Sequence, residues 1–110
     1  MFPSLRSVIS PFGDNVATEL VNNSYENIEF FMETAVEKIL VLTVEAYNKR
    51  QIRMRTFFEC YSETQLPKAI VLKVNGTTEK TYIPHDFVKY KKFEFNIGND
   101  RKLVPTETPR

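Results

Sequence analysis

The chain has one histidine and one cysteine among its 110 residues, and any nucleophilic or acid–base chemistry would start from them. His85 precedes Asp86 directly, and an acid in the adjacent position of extended chain is poorly placed to orient an imidazole, so the pair does not read as a relay. Cys60 falls on the apolar phase of an alternating segment. A free cysteine there behaves as a small hydrophobe, whereas an active thiol needs exposure and a lowered pKa.

Of the fourteen acids, Glu29, Glu33, Glu37 and Glu45 are separated by multiples of four, a step that describes the solvated face of a helix better than a pair of catalytic carboxylates. A single His and a single Cys cannot build the common nitrogen or sulfur metal sites, and no acid-rich loop has calcium spacing. Gly13, Gly76 and Gly98 are too far apart for a loop whose backbone N–H groups cradle phosphate. The expectation is a chain without enzymatic activity, metal or cofactor.

Binding chemistry is better represented. Lys49, Arg50, Arg53 and Arg55 cluster at the start of the alternating segment, and Phe57 and Tyr61 share the phase of Arg53 and Arg55. Arg50, Arg53, Arg55, Phe57 and Tyr61 are therefore the candidate partner-binding residues, since arginine and aromatics are enriched in protein interfaces. The same combination could hold phosphates and stack bases of a single strand. Fifteen Lys plus Arg against fourteen Asp plus Glu give a net charge of +1, which disfavours nucleic acid relative to protein. Lys89, Lys91 and Lys92 either extend this surface or guard an edge strand against aggregation.

The elements that must position these residues begin with composition. Apolar residues make up 42% of the chain, with nine Phe and five Tyr, enough for one aromatic-rich core. The lone cysteine forbids an intrachain disulfide and suits an intracellular protein, cytoplasmic or nuclear. No run approaches the ~20 apolar residues of a membrane span, so no membrane association is expected. Asn22-Asn23-Ser24 and Asn75-Gly76-Thr77 fit the glycosylation pattern, which carries no meaning in a cytosolic chain.

Three regions are expected: an N-terminal arm with a short helix over 1–23, a single α+β core domain over 24–98, and a flexible C-terminal tail over 99–110. Ser24 can cap a helix along which Ile28, Phe31, Met32, Ala35, Ile39, Leu42 and Ala46 form an apolar stripe. Strands are expected over 52–61, 69–74, 78–83 and 93–97, the middle pair joined by the tight turn that Asn75-Gly76 favours. The predicted fold is one long amphipathic helix packed on a four-stranded antiparallel sheet. The alternative is an all-β sandwich in which residues 28–33 and 39–47 are strands, because Ile39-Leu40-Val41-Leu42-Thr43-Val44 is strongly β-branched.

The phrases Ala35-Val36-Glu37-Lys38 and Val44-Glu45-Ala46-Tyr47-Asn48-Lys49-Arg50 resemble the helix of cystatin-type inhibitors, which also precedes a curved antiparallel sheet. The Gln-x-Val-x-Gly inhibitory loop of that family is absent, so the resemblance carries no function. The functional expectation is a non-catalytic protein-interaction module, a homodimer or a subunit of a larger assembly, using an exposed Arg/aromatic sheet face. A small single-stranded nucleic-acid-binding protein is the alternative.

Overall fold

The computed structural model describes residues 16–53, 55–56 and 66–110. They form eight strands: β1 Ala17–Asn22, β2 Ile28–Glu33, β3 Lys38–Val44, β4 Lys49–Arg53, β5 Ala69–Val74, β6 Thr77–Tyr82, β7 Tyr90–Ile97 and β8 Leu103–Pro109. Asp86–Lys89 form a short helix, α1, and Arg55 and Thr56 are also helical. Two four-stranded sheets result, sheet A in the order β4-β1-β7-β8 and sheet B in the order β3-β2-β5-β6. Sheet B is antiparallel throughout, whereas sheet A contains the parallel pair β1 and β7, in register from Glu19 opposite Lys92 to Asn22 opposite Phe95.

The sheets bury one face each against the other. Leu20, Ile52, Phe93 and Phe95 of sheet A meet Ile28, Phe30, Val44, Ile70, Leu72, Val74 and Tyr82 of sheet B in one cluster, joined by Phe87 from α1. Aromatic edges cross the interface: Phe30 meets Phe95 at 5.8 Å and Tyr82 meets Phe93 at 5.0 Å between ring centroids. Both are tilted edge-on, which places the positive ring edge against a negative face. The aromatic content of the sequence is thus what fills the layer between the sheets.

The helix-on-sheet expectation is overturned. Residues 24–47 hold β2 and β3 with a turn between them, so the described residues are nearly all β, although the second of these strands ends at Val44 and residues 45–47, expected as strand in the all-β alternative, form a turn. The apolar stripe at helical spacing does not mark one face: Ile28 is buried in the core, Ile39 is exposed, and Ala46 sits in a turn. The turn from Thr34 to Glu37 is held by Thr34, whose N–H donates to Glu37 O at 2.8 Å and whose hydroxyl oxygen accepts from the N–H groups of Val36 and Glu37. A bulge in β3, where Phe30 pairs with Leu42 but Phe31 with Leu40, adds one residue and blurs the two-residue period. The stretch resembling a cystatin helix is the last part of the Thr34–Glu37 turn, β3, a second turn and the start of β4.

Two further boundaries move. Residues 17–22, expected as a short helix in an arm, are β1, a central strand of sheet A. Leu103–Pro109, expected within a flexible tail, is β8, paired along β7 from Ile97 opposite Leu103 to Tyr90 opposite Pro109. Arg110 closes the edge: its Nε donates to Val88 O at 2.8 Å and its terminal nitrogen to Phe87 O and Thr18 Oγ1, both at 3.0 Å. No helix among the described residues is long and apolar enough to cross a membrane.

Candidate interaction surfaces

Sheet A carries the basic cluster on its border. In β4, Ile52 alone is buried, and Lys49, Arg50, Gln51 and Arg53 are exposed. The alternation separates the arginines. Arg53 shares the outer face with Lys49 and Gln51, while Arg50 follows the phase of Ile52 and donates to Thr43 O of β3 at 3.2 Å. Arg50 therefore ties the border of one sheet to the border of the other. Arg55 follows β4 in a helical pair of exposed residues, Arg55 and Thr56. Phe57 and Tyr61 lie outside the described residues, so the aromatic half of the proposed face is unplaced, as is Cys60.

The rest of the outer face of sheet A is close to neutral. Its cross-strand rows run Gln51–Glu19–Lys92–Thr108 and Lys49–Val21–Glu94–Thr106. Lys92 sits between two carboxylates, 3.3 Å from Glu94 and 3.9 Å from Glu19. On β4, Lys49 and Arg53 are exposed, and neither pairs with an acid among the described residues. The lysines of the 89–92 stretch do not line an edge strand, because β7 lies between β1 and β8. Lys89 is the last residue of α1, and its ammonium lies 5.3 Å from the centroid of the Tyr90 ring.

His85 is exposed and forms the N-cap position of α1, its carbonyl accepting from the N–H groups of Val88 and Lys89. The Asp86 carboxylate accepts from Ile83 N–H at 3.0 Å, an engagement that directs it to the backbone. Among the described residues no three of His, Cys, Asp and Glu gather as a metal site would require. The Asn22 amide is fully buried, so the first glycosylation triplet has no accessible acceptor.

A second surface was not singled out in the sequence. Two crossovers between the sheets meet at one end of the sandwich: Asn23–Asn27, joining β1 to β2, and Glu45–Asn48, joining β3 to β4. Asn22 holds them together. Its side-chain NH2 faces Glu26 O at 2.7 Å, Val44 O at 2.9 Å and Glu45 O at 3.1 Å, and its Oδ1 accepts from the Ser24 N–H and hydroxyl. The second crossover is a four-residue turn closed by Asn48 N–H to Glu45 O at 3.0 Å, with Ala46 N–H on Asn27 Oδ1 and Tyr47 N–H on Ser24 O. Tyr25 and Tyr47 project from this pinned frame, 57% and 72% exposed. The signal available in the sequence was the density of Asn and Ser around two tyrosines, which is turn chemistry rather than a helix cap.

The Asn75-Gly76 hairpin joins the same end, with Asn75 Nδ2 donating to Glu26 Oε1 at 2.6 Å. Comparison of the chain with protein-family models, with curated proteins and with solved structures returned no match.

Proposed function

We propose that the chain is a non-catalytic protein-interaction module that associates, with itself or as a subunit of a larger assembly, through the basic border of sheet A. The observation that carries this reading is the distribution of charge. Lys49 and Arg53 stand exposed on β4, while the neighbouring face neutralises itself through Lys92, Glu19 and Glu94. Such a border suits a partner surface that supplies carboxylates, and complementary charge of this kind sets partner choice and on-rate more than raw affinity. The carboxylates of Glu19 and Glu94 interrupt the positive face, which works against a continuous track for a nucleic-acid backbone.

The test is the double substitution Arg53→Glu and Arg55→Glu, with mass in solution followed by light scattering at two salt concentrations. Association should be lost with the circular dichroism unchanged. Association that persists in the double variant removes this border as the interface. A monomer whose absorbance reports nucleic acid that salt strips away would favour single-strand binding instead.

A further inference from the structure

Tyr47 is held in a conformation that a tyrosine does not choose. It is the third residue of the Glu45–Asn48 turn with φ at 58°, the left-handed region in which a Cβ crowds the following carbonyl. Glycine or asparagine normally fills that position. Tyrosine there costs stability, and its ring recovers little of that cost, being 72% exposed. Strain kept at an exposed aromatic points to a use outside the fold.

The backbone beneath it is rigid. The N–H groups of Ala46, Tyr47 and Asn48 are all taken, by Asn27 Oδ1, Ser24 O and Glu45 O. The bond to Ser24 O, at 3.2 Å, brings Tyr47 next to the peptide unit that precedes Tyr25, so the two exposed tyrosines belong to one tip. Exposed Glu45 flanks them, while half-buried Glu26 is held by Asn75 Nδ2 at 2.6 Å. Large aromatics displayed from a fixed loop frame give contact area at low entropic cost, the economy on which antibody-like loop tips rely.

We infer that this tip is a recognition site for a cationic segment of another polypeptide, arginine above all, with the exposed rings of Tyr25 and Tyr47 offering their faces to the guanidinium and the exposed Glu45 carboxylate taking its charge. Guanidinium groups stack on aromatic rings and pair with carboxylates, so both features of the tip select the same side chain. The inference rests on the reading of the chain as an interaction module but uses a different surface from the β4 border.

The probe is a fluorescently labelled peptide of alternating Arg and Gly, with a Glu-Gly peptide as its counterpart, titrated against the whole chain while backbone amides are followed by NMR. Saturable shifts at Ser24–Asn27 and Glu45–Asn48 are expected for the Arg peptide and not for the Glu peptide. Tyr47→Gly should weaken the Arg peptide at least ~10-fold by removing a stacking partner. The same change should raise the thermal midpoint by a few degrees, about what relief of one strained residue gives in a domain of this size. Arg101→Gly, at a turn residue outside the tip with φ at 63°, should raise the midpoint without touching peptide affinity.

Arg-peptide shifts that are absent, or spread over every acidic residue, overturn the inference, as does unchanged affinity in Tyr47→Gly. The Arg53→Glu and Arg55→Glu variant should bind the peptide at least as well as the parent chain. Loss of association there with the tip intact, or the reverse, separates failure of one surface from failure of the other.

Discussion

The Tyr82 phenol is a buried side-chain oxygen without a hydrogen-bond partner among the described residues. Its ring is well used, edge-on to Phe93 at 5.0 Å and to Phe87 at 5.9 Å. Burial pushes its pKa well above the usual tyrosine range, and the negative charges of Glu107 and Asp86 push it in the same direction. Removing only the hydroxyl, with Tyr82→Phe, should leave stability unchanged or raise it by about 1 kcal/mol in urea unfolding, since an unsatisfied buried group is a cost. The sign of the pH effect follows from the raised value. Folding favours the neutral phenol, so this contribution is intact below ~10, the unfolded pKa, and is lost as pH rises above it. The stability difference between Tyr82→Phe and the parent should therefore be constant from neutral pH to about 9 and widen in favour of Phe at higher pH. A variant markedly weaker than the parent at neutral pH would mean that the hydroxyl has a stabilising partner.

Segments whose turn chemistry is local were legible, and those held by side chains distant in sequence were not. The Asn75-Gly76 dipeptide announces its hairpin, and both residues take the positive φ angles, 52° and 77°, that such a tight turn needs. Phe93, Phe95 and Ile97 alternate cleanly because one face of β7 lies on the core. Ser24, by contrast, reads equally well as a helix cap or as part of an Asx turn, and only the buried Asn22 beside it decides. Thr34 closes the turn before β3 without glycine, proline or asparagine, so nothing in its neighbourhood separates two strands from one helix. Of the partner-binding candidates, the exposure of Arg53 followed from alternation with Ile52, but the latch from Arg50 to Thr43 depends on the meeting of two sheet borders. Asn22 is where the crossovers can be tested as elements. Asn22→Ala would take a donor from three carbonyls, although Glu45 O keeps Asn48 N–H and Glu26 O keeps the Ser24 hydroxyl, and would leave Ser24 N–H without its acceptor, so it should cost about 1–3 kcal/mol by chemical denaturation. The backbone-amide exchange of Ser24–Asn27 and Glu45–Asn48 should rise with it, whereas β5 and β6 should stay protected.

The molecule is closed by its longest-range pairings. The hairpins β2–β3, β5–β6 and β7–β8 join neighbours in sequence, but β1 is held by β4 on one side and by β7 on the other, with Leu20 opposite both Arg50 and Phe93. A parallel pair so far apart in the chain leaves no local signal, which is why residues 17–22 look like an arm when read in isolation. The last strand looks like a tail for a related reason: Pro105 and Pro109 suggest irregular chain, yet proline is tolerated on a sheet edge, and β8 is an edge. Its inward residue Leu103 packs against the core and Arg110 bonds Thr18, Phe87 and Val88, so β8 should be part of the cooperative unit. Removing residues 103–110 would leave β7, with Phe93 and Phe95, as an uncovered edge, a template for aggregation. The shortened chain should show no cooperative urea transition, or associate on gel filtration. Arg110→Ala in the full chain should lose only about 1–2 kcal/mol, the worth of its hydrogen bonds, and keep the same dependence on denaturant. A shortened chain that unfolds as sharply as the parent, and as a monomer, would return residues 103–110 to the role of a tail.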